Sequence, residues 1–168
     1  MSLVAVIEDI CLLLFVVSLM GAAAQDLRTM RIANGFSLAI VALFAISSGA
    51  GVASGRLPVS SPATALVCAT LVFLGGAAAF AMGAFGGGDV KLLAAASLFA
   101  GAGHILDFLA ITAVVGGALG VASLAGIRLG QAAVANGAVP ATRLQGSVPY
   151  GPAIAAGGLW VAASIGWS

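Results

Sequence analysis

Long apolar runs separated by short polar segments are the main pattern of this 168-residue chain. A helix that crosses a membrane needs about 20 apolar residues, because each residue adds only about 1.5 Å of length. The apolar runs cover residues 3–24, 35–53, 63–82, 90 to about 100, 108–127, and a last run that opens at 149–152 and ends near Trp167. The pattern therefore predicts an all-α, polytopic membrane protein with about six transmembrane helices in one bundle.

Glycine and proline mark the ends of these runs. Residues 54–62 form a turn rich in Gly, Pro and Ser, and Gly101-Ala102-Gly103-His104 breaks the fourth run from the fifth. Asp107 precedes the fifth run as an expected helix cap. Residues 128–148 are the least hydrophobic stretch and are expected to form a loop, with room for a short interfacial helix.

The composition excludes a soluble domain. Only 7% of the residues are charged, 62% are hydrophobic and the mean hydropathy is +1.22, so the chain cannot present an ordinary charged surface. A transmembrane barrel would need alternating polar and apolar positions, whereas these runs are apolar on every face. We expect residues 1–168 to form a single integral membrane domain in contact with the lipid bilayer. No basic cluster indicates nucleic acid, and the two cysteines form no zinc or redox motif.

The basic residues predict an orientation, since short loops that carry them tend to stay in the cytoplasm. Six alternating spans leave only Arg56 on one side and place five basic residues on the other: Arg28, Arg31, Lys91, Arg128 and Arg143. Both termini are then outside, and Asp26 and Asp89 lie at the cytoplasmic level. Glu8, Asp9, His104 and Asp107 collect on the outer side, so we expect no catalytic role for His104. The first run has acids where a secretory signal has Lys or Arg, and it is expected to be a retained span.

Asp89 is the first candidate for chemistry. It follows the glycines of Gly86-Gly87-Gly88-Asp89-Val90-Lys91, at the edge of an apolar run. A carboxylate near the bilayer core costs about 3 kcal/mol, so such a residue is a functional candidate by default. The alternative is that Asp89 only caps a helix, which is a role that Asp performs well.

Asp26 is the second candidate, because alternating spans bring it to the level of Asp89. Two carboxylates that share a site repel each other, so that one of them retains a proton. The ionised acid can take a proton from an attacking water, while the protonated acid supports the substrate carbonyl and then protonates the leaving nitrogen. The alternative for Asp26 is a weak interfacial ion pair with Arg28 or Arg31.

Several neighbours are candidates for substrate binding. Gly86, Gly87 and Gly88 would let an extended substrate backbone approach closely, because they have no side chains. Lys91 could contact substrate, although snorkelling to the interface is the favoured interpretation. Tyr150 could line the site from the last span, but an interfacial aromatic residue is an equal explanation.

Three motifs together resemble one family, the type IV prepilin peptidases, and most closely its small form associated with tight-adherence (Flp-type) pili. They are Asp26-Leu27-Arg28-Thr29-Met30-Arg31-Ile32-Ala33-Asn34, then Gly86-Gly87-Gly88-Asp89-Val90-Lys91-Leu92-Leu93, and last Val148-Pro149-Tyr150-Gly151-Pro152-Ala153-Ile154-Ala155-Ala156-Gly157. The resemblance implies an intramembrane aspartyl protease of the GxGD type in the bacterial inner membrane. It would remove the leader of prepilins or pseudopilins at the cytoplasmic face with Asp26 and Asp89 as the catalytic pair, and would need no metal or cofactor.

Two departures from the family limit what is carried over. The family commonly has Ile-Pro-Asn where this chain has Ile32-Ala33-Asn34, a change that would loosen the turn into the second span. Larger members also carry a cytoplasmic insertion with paired cysteines and methylate the new N-terminus. This sequence has no such insertion, so methyltransferase activity is not expected.

The competing hypothesis is a non-enzymatic membrane scaffold or transporter subunit whose acids serve ion pairing or transport.

Overall fold

The computed structural model describes residues 2–125, 127 and 148–166. Within these ranges the chain forms helices and no strands. The helices are α1 (Leu3–Thr29), α2 (Asn34–Ala53), α3 (Ser60–Ala81), α4 (Gly87–Leu124) and α5 (Gly151–Gly166). Helices α1 to α4 are long and apolar enough to cross a membrane, and α5 is shorter. The prediction of an all-α, polytopic membrane bundle is confirmed. The predicted loop at 128–148, with Arg128 and Arg143, and the predicted end at Trp167 lie almost wholly outside the described residues.

Helix α4 is two helical arms joined at Gly101. The backbone of Gly101 has φ 53° and ψ −164°, a conformation that only glycine adopts easily. The second arm turns back along the first, and the ring of Tyr150 shows this because it contacts both the start of the first arm and a residue well along the second. It stacks on Phe85, just before α4, and lies against Gly116 in the second arm. The break predicted at Gly101 is therefore confirmed, and helix resumes directly after it rather than at Phe108.

Two other helix boundaries differ from the prediction. Helix α1 continues past Ala24 through Asp26 to Thr29, and Met30 closes it in the left-handed conformation (φ 54°) with its N–H bonded to the Asp26 carbonyl at 2.7 Å. Helix α4 begins at Gly87, so Asp89 lies in its first turn. Both acids are thus within helices, where hydrogen bonds fix their backbones more firmly than a loop would.

The turn between α1 and α2 is not loosened at Ala33. Its φ of −69° is the value that a proline would impose, and its N–H donates to Gln25 Oε1 at 2.9 Å. A proline has no N–H to donate. The Thr29 hydroxyl lies within hydrogen-bonding distance of the carbonyl oxygens of Gln25 (2.9 Å) and Arg31 (3.0 Å) and can donate its one hydrogen to either. The last turn of α1 therefore holds this connection in place.

Helix α5 lies between α1 and α4 and brings the third motif to the first two. Glycines lie where α5 contacts its neighbours, because no side chain would fit there. A Cβ at Gly157 would collide with Thr112 and Phe108, and one at Gly158 would collide with Leu19. Small residues of this kind let membrane helices approach closely. The buried core is completed by large side chains from α1, α2, both arms of α4 and α5: Phe15, Leu19, Ile40, Leu92, Phe108, Ile154 and Val161.

The charged residues of the described part lie at the two ends of the bundle, as predicted. At one end Arg56 pairs with Glu8 (N–O 2.9 Å), and His104 lies 4.0 Å from Asp107 beside the α4 hairpin turn. Asp26 and Asp89 lie at the other end, where α1 ends and α4 begins.

Candidate active site

Asp26 is held by the first residue of another helix. Its side chain is buried, with 4% of its surface exposed, and its Oδ2 accepts a hydrogen bond from the Gly151 N–H at 2.8 Å. Gly151 opens α5, where the backbone N–H groups have no partner within the helix and the helix dipole favours negative charge. The next residue, Pro152, has no N–H. The Gly151 N–H is therefore the donor that the start of α5 presents to the carboxylate.

The contact between Asp26 and α5 is too close for any side chain at Gly151. A Cβ there would lie 2.8 Å from the Asp26 Cβ and 3.3 Å from the Ala23 Cα. The alternative in which Asp26 pairs with Arg28 or Arg31 is not seen among the described residues, where Arg28 and Arg31 are exposed and make no ion pair. Asp26 points into the bundle rather than toward the headgroups.

Asp89 is held in the same way at the start of α4. Its Oδ2 accepts from the Gly86 N–H at 3.2 Å, and Gly86 is the extended residue (φ −79°, ψ 144°) that precedes the helix. The carboxylate thus reaches back from the third helical position, as an acid does in a capping box. Asp89 does stabilise the helix start, in line with the alternative in which it caps a helix. It does so from inside the first turn and not as the N-cap residue.

The two carboxyl groups lie close enough together to repel each other electrostatically. Each has one oxygen on a backbone N–H, and each of those N–H groups belongs to a helix N-terminus. The positive ends of the α4 and α5 dipoles therefore converge on the pair and offset part of its charge repulsion. Such a pair can share a proton and act on a water molecule between its free oxygens.

The other predicted binding residues have partners of their own. The missing side chain of Gly88 faces Ile32, where a Cβ would lie 3.2 Å from the Ile32 carbonyl oxygen, and Gly87 faces the ring of Phe80. Lys91 donates from Nζ to Asn34 Oδ1 at 3.0 Å, so it binds α2 rather than only snorkelling to the interface. Tyr150 stacks on a ring instead of standing alone.

Three contacts of the site were not predicted from the sequence. Phe85 stacks on Tyr150 with 4.6 Å between ring centroids and 30° between planes. Ile32 packs on Gly88, and Asn34 binds Lys91. Ile32, Asn34 and Gly151 lie within the motifs noted above, which was a usable signal. Phe85 lies outside them and is an ordinary apolar residue in an apolar chain, so no pattern distinguished it.

Open apolar cavities lie on both sides of α3 and reach this end of the bundle. One of about 560 Å³ lies between α2, α3 and the first arm of α4, with Asn34 and Lys91 in its lining. Another of about 490 Å³ lies between α3 and both arms of α4 and reaches Phe85. Among the described residues, no group of three or more His, Cys, Asp and Glu side chains could hold a metal ion.

Fold and site together define a multi-pass helical membrane protein that brings two carboxyl groups together beside two helix N-termini. A family model described as the type IV leader peptidase family matches residues 13–121, which is more than half of the chain and includes Asp26 and Asp89. The chain therefore belongs to the type IV leader peptidase family, and it is in general terms a peptidase. A search of curated proteins and a search of solved structures each give no match.

Proposed function

We propose that this protein is a membrane aspartyl endopeptidase that cleaves the leader peptide of type IV (Flp-like) prepilins or pseudopilins. The observation that carries the proposal is the pairing of Asp26 with Asp89, each held through Oδ2 by a backbone N–H at a helix N-terminus. Membership of the leader peptidase family supports the substrate class. The assignment to the small tight-adherence form, and of residues 1–168 to a single peptidase domain, belongs to the same proposal.

The proposed mechanism uses the Oδ1 atoms, because both Oδ2 atoms are engaged by backbone donors. The ionised acid takes a proton from a water molecule as the water oxygen attacks the scissile carbonyl carbon. The protonated acid gives its proton to the carbonyl oxygen as the tetrahedral intermediate forms. The intermediate then collapses: that hydroxyl returns its proton to the same acid as the C=O bond re-forms, the C–N bond breaks, and the leaving nitrogen receives the proton that the other acid took from water. Two acids and one water balance the reaction without a metal or cofactor.

The substrate is proposed to present an apolar helix to the side of the bundle and its leader junction to the end that carries the acids. Large apolar side chains cover the outer surface of α1 to α3, which suits a partner helix within the bilayer. The basic residues at this end support a cytoplasmic position for it under the positive-inside rule. Membership of the leader peptidase family supports the bacterial inner membrane. Lys91 and the three glycines remain candidate substrate contacts. Lys91 Nζ is already bonded to Asn34, and Gly88 and Gly87 already face Ile32 and Phe80, which limits the atoms that a substrate can reach.

The test replaces each acid with its amide. Purified Asp26→Asn and Asp89→Asn variants are incubated with candidate prepilins, and the new N-terminus is mapped by mass spectrometry. We expect cleavage to fall by at least about 100-fold in each variant, because general acid and base steps contribute at least that much. Asp107→Asn is the matched control, because Asp107 lies at the opposite end of the bundle. This variant should cleave prepilins at the wild-type rate. Normal cleavage by both amide variants would instead favour the scaffold or transporter hypothesis.

A further inference from the structure

The N-termini of α4 and α5 are connected by a pair of stacked rings. Phe85 immediately precedes Gly86, whose N–H holds Asp89, and Tyr150 immediately precedes Gly151, whose N–H holds Asp26. The two rings stack with 4.6 Å between centroids. Each backbone donor is therefore one residue away from one member of the same aromatic pair.

We propose that Phe85 and Tyr150 are positioning residues that set the separation of the two carboxyl groups for catalysis. This inference rests on the proposed function of Asp26 and Asp89. The stack joins the two helix starts, each helix start holds one acid, and the distance between the acids follows from the distance between the rings.

The surroundings leave Tyr150 little freedom. Its ring lies against Gly116 of the second α4 arm, where a Cβ would come 3.0 Å from Cε1. The next residue, Gly151, lies against Asp26 and Ala23 of α1 with no space for a side chain. The α5 start is thus fixed on α1, and Tyr150 extends this rigid side toward α4.

Phe85 is less confined. It is only half-buried and borders the 490 Å³ cavity between α3 and the two arms of α4. The contact of Gly88 with Ile32 ties the α4 start to the α1–α2 turn from another direction. Without the ring stack, the segment at Phe85 and Gly86 can move toward the cavity, and Asp89 would move with it. A displacement of about 1 Å in a catalytic group is enough to lower a rate by about 100-fold.

The separation of the acids has a signature in the pH profile of cleavage. Activity needs the form of the pair that holds one proton, and repulsion between the acids sets the pH range over which that form persists. Repulsion acts on the doubly ionised pair, so if the acids move apart it weakens, the alkaline limb of the bell-shaped profile moves to lower pH and the profile narrows. Besides the two acids, the charged or titratable side chains described at this end are Arg28, Arg31, Lys91 and Tyr150, and a change at Phe85 removes none of them.

The experiment measures kcat, KM and the pH profile of prepilin cleavage for Phe85→Leu, Tyr150→Leu and the double variant. We expect kcat to fall about tenfold or more in each single variant with KM within about twofold, and the pH profile to narrow. The double variant should lose about as much as either single variant, because both remove the same contact. Tyr150→Phe, which keeps the ring, should recover most of the activity and profile width lost in Tyr150→Leu.

The matched control is Phe44→Leu, the same change at a half-buried ring that packs edge-on against Phe99 at the opposite end of the bundle, which should cleave as the wild type does. If Phe85→Leu fails to fold, Phe85→Met keeps the volume without the ring and should show the same narrowing. A wild-type profile in folded Leu or Met variants would overturn the positioning role, as would equal impairment of Tyr150→Phe and Tyr150→Leu. These outcomes are separate from the proposed function, which fails only if Asp26→Asn and Asp89→Asn cleave normally.

Discussion

At Gly86 the absence of a side chain gives the Asp89 carboxylate the space that it occupies. A Cβ at Gly86 would lie 2.6 Å from Asp89 Oδ2, so the Gly86→Ala variant must push the carboxylate off its backbone N–H. We expect cleavage to fall about tenfold or more, because the acid loses its position. Stability should change by less than about 1 kcal/mol, since Gly86 is exposed. Kinetics and thermal unfolding in detergent measure both effects.

The control for this variant is Gly35→Ala. Gly35 lies at the start of α2, at the same end of the bundle, and a Cβ there meets nothing within 4 Å. Its cleavage rate should match that of the wild type. A Gly86→Ala protein with full activity would show that the bond between Asp89 and the Gly86 N–H is dispensable.

Single residues explain what the sequence could predict about the site. Asp89 was predicted because a carboxylate is costly at the edge of an apolar run, whatever it contacts. Asp26 was predicted because alternating spans bring it to the level of Asp89 and because the motifs resemble a family with two catalytic acids. Their donors were not, because a bond from Gly151 to Asp26 joins residues 125 positions apart and leaves no local pattern. For the same reason Gly88 looked open to substrate in the sequence, whereas the structure places Ile32 against it.

Among the elements, the hairpin of α4 depends most on one residue. Gly101 has φ 53° and ψ −164°, a region that is nearly closed to residues with a Cβ. We expect Gly101→Ala to destabilise the bundle by about 1–3 kcal/mol. Thermal unfolding in detergent checks this, and Gly103→Ala is the control because it lies two residues away with open space around it and a negative φ. Equal unfolding temperatures for the two variants would contradict the role of Gly101.

The helix ends show where hydropathy misleads. The apolar run of α1 stops at Ala24, but the helix continues to Thr29 because backbone hydrogen bonds do not depend on side-chain polarity. The polar residues of its last turn then serve the connection to α2, through Gln25 Oε1 and the Thr29 hydroxyl. Predictions from hydropathy therefore placed Asp26 just past a helix, although it lies in the helix and faces the core. The hairpin was predictable because glycines cluster at the break.

Over the whole molecule, the described charged residues separate into two groups, one at each end of the bundle. Glu8 and Arg56 pair at the end where the α4 hairpin turns, and Ile165 lines a cavity with Glu8, so α5 finishes at this end too. The other end holds the acid pair and the basic residues of the α1–α2 turn. Six helical segments, counting both arms of α4 in the described part, thus return the chain to the side where it began.

This arrangement predicts a topology that can be measured by cysteine labelling. In a background with Cys11 and Cys68 replaced by Ala, single cysteines are introduced as Val59→Cys, Asp107→Cys and Arg31→Cys, all at exposed positions. Under the positive-inside rule we expect Arg31 to lie in the cytoplasm with the acids. An impermeant maleimide should therefore label positions 59 and 107 in spheroplasts, and position 31 only after permeabilisation. The reverse pattern would put Asp26 and Asp89 outside, where a leader peptide still attached in the cytoplasm could not reach them.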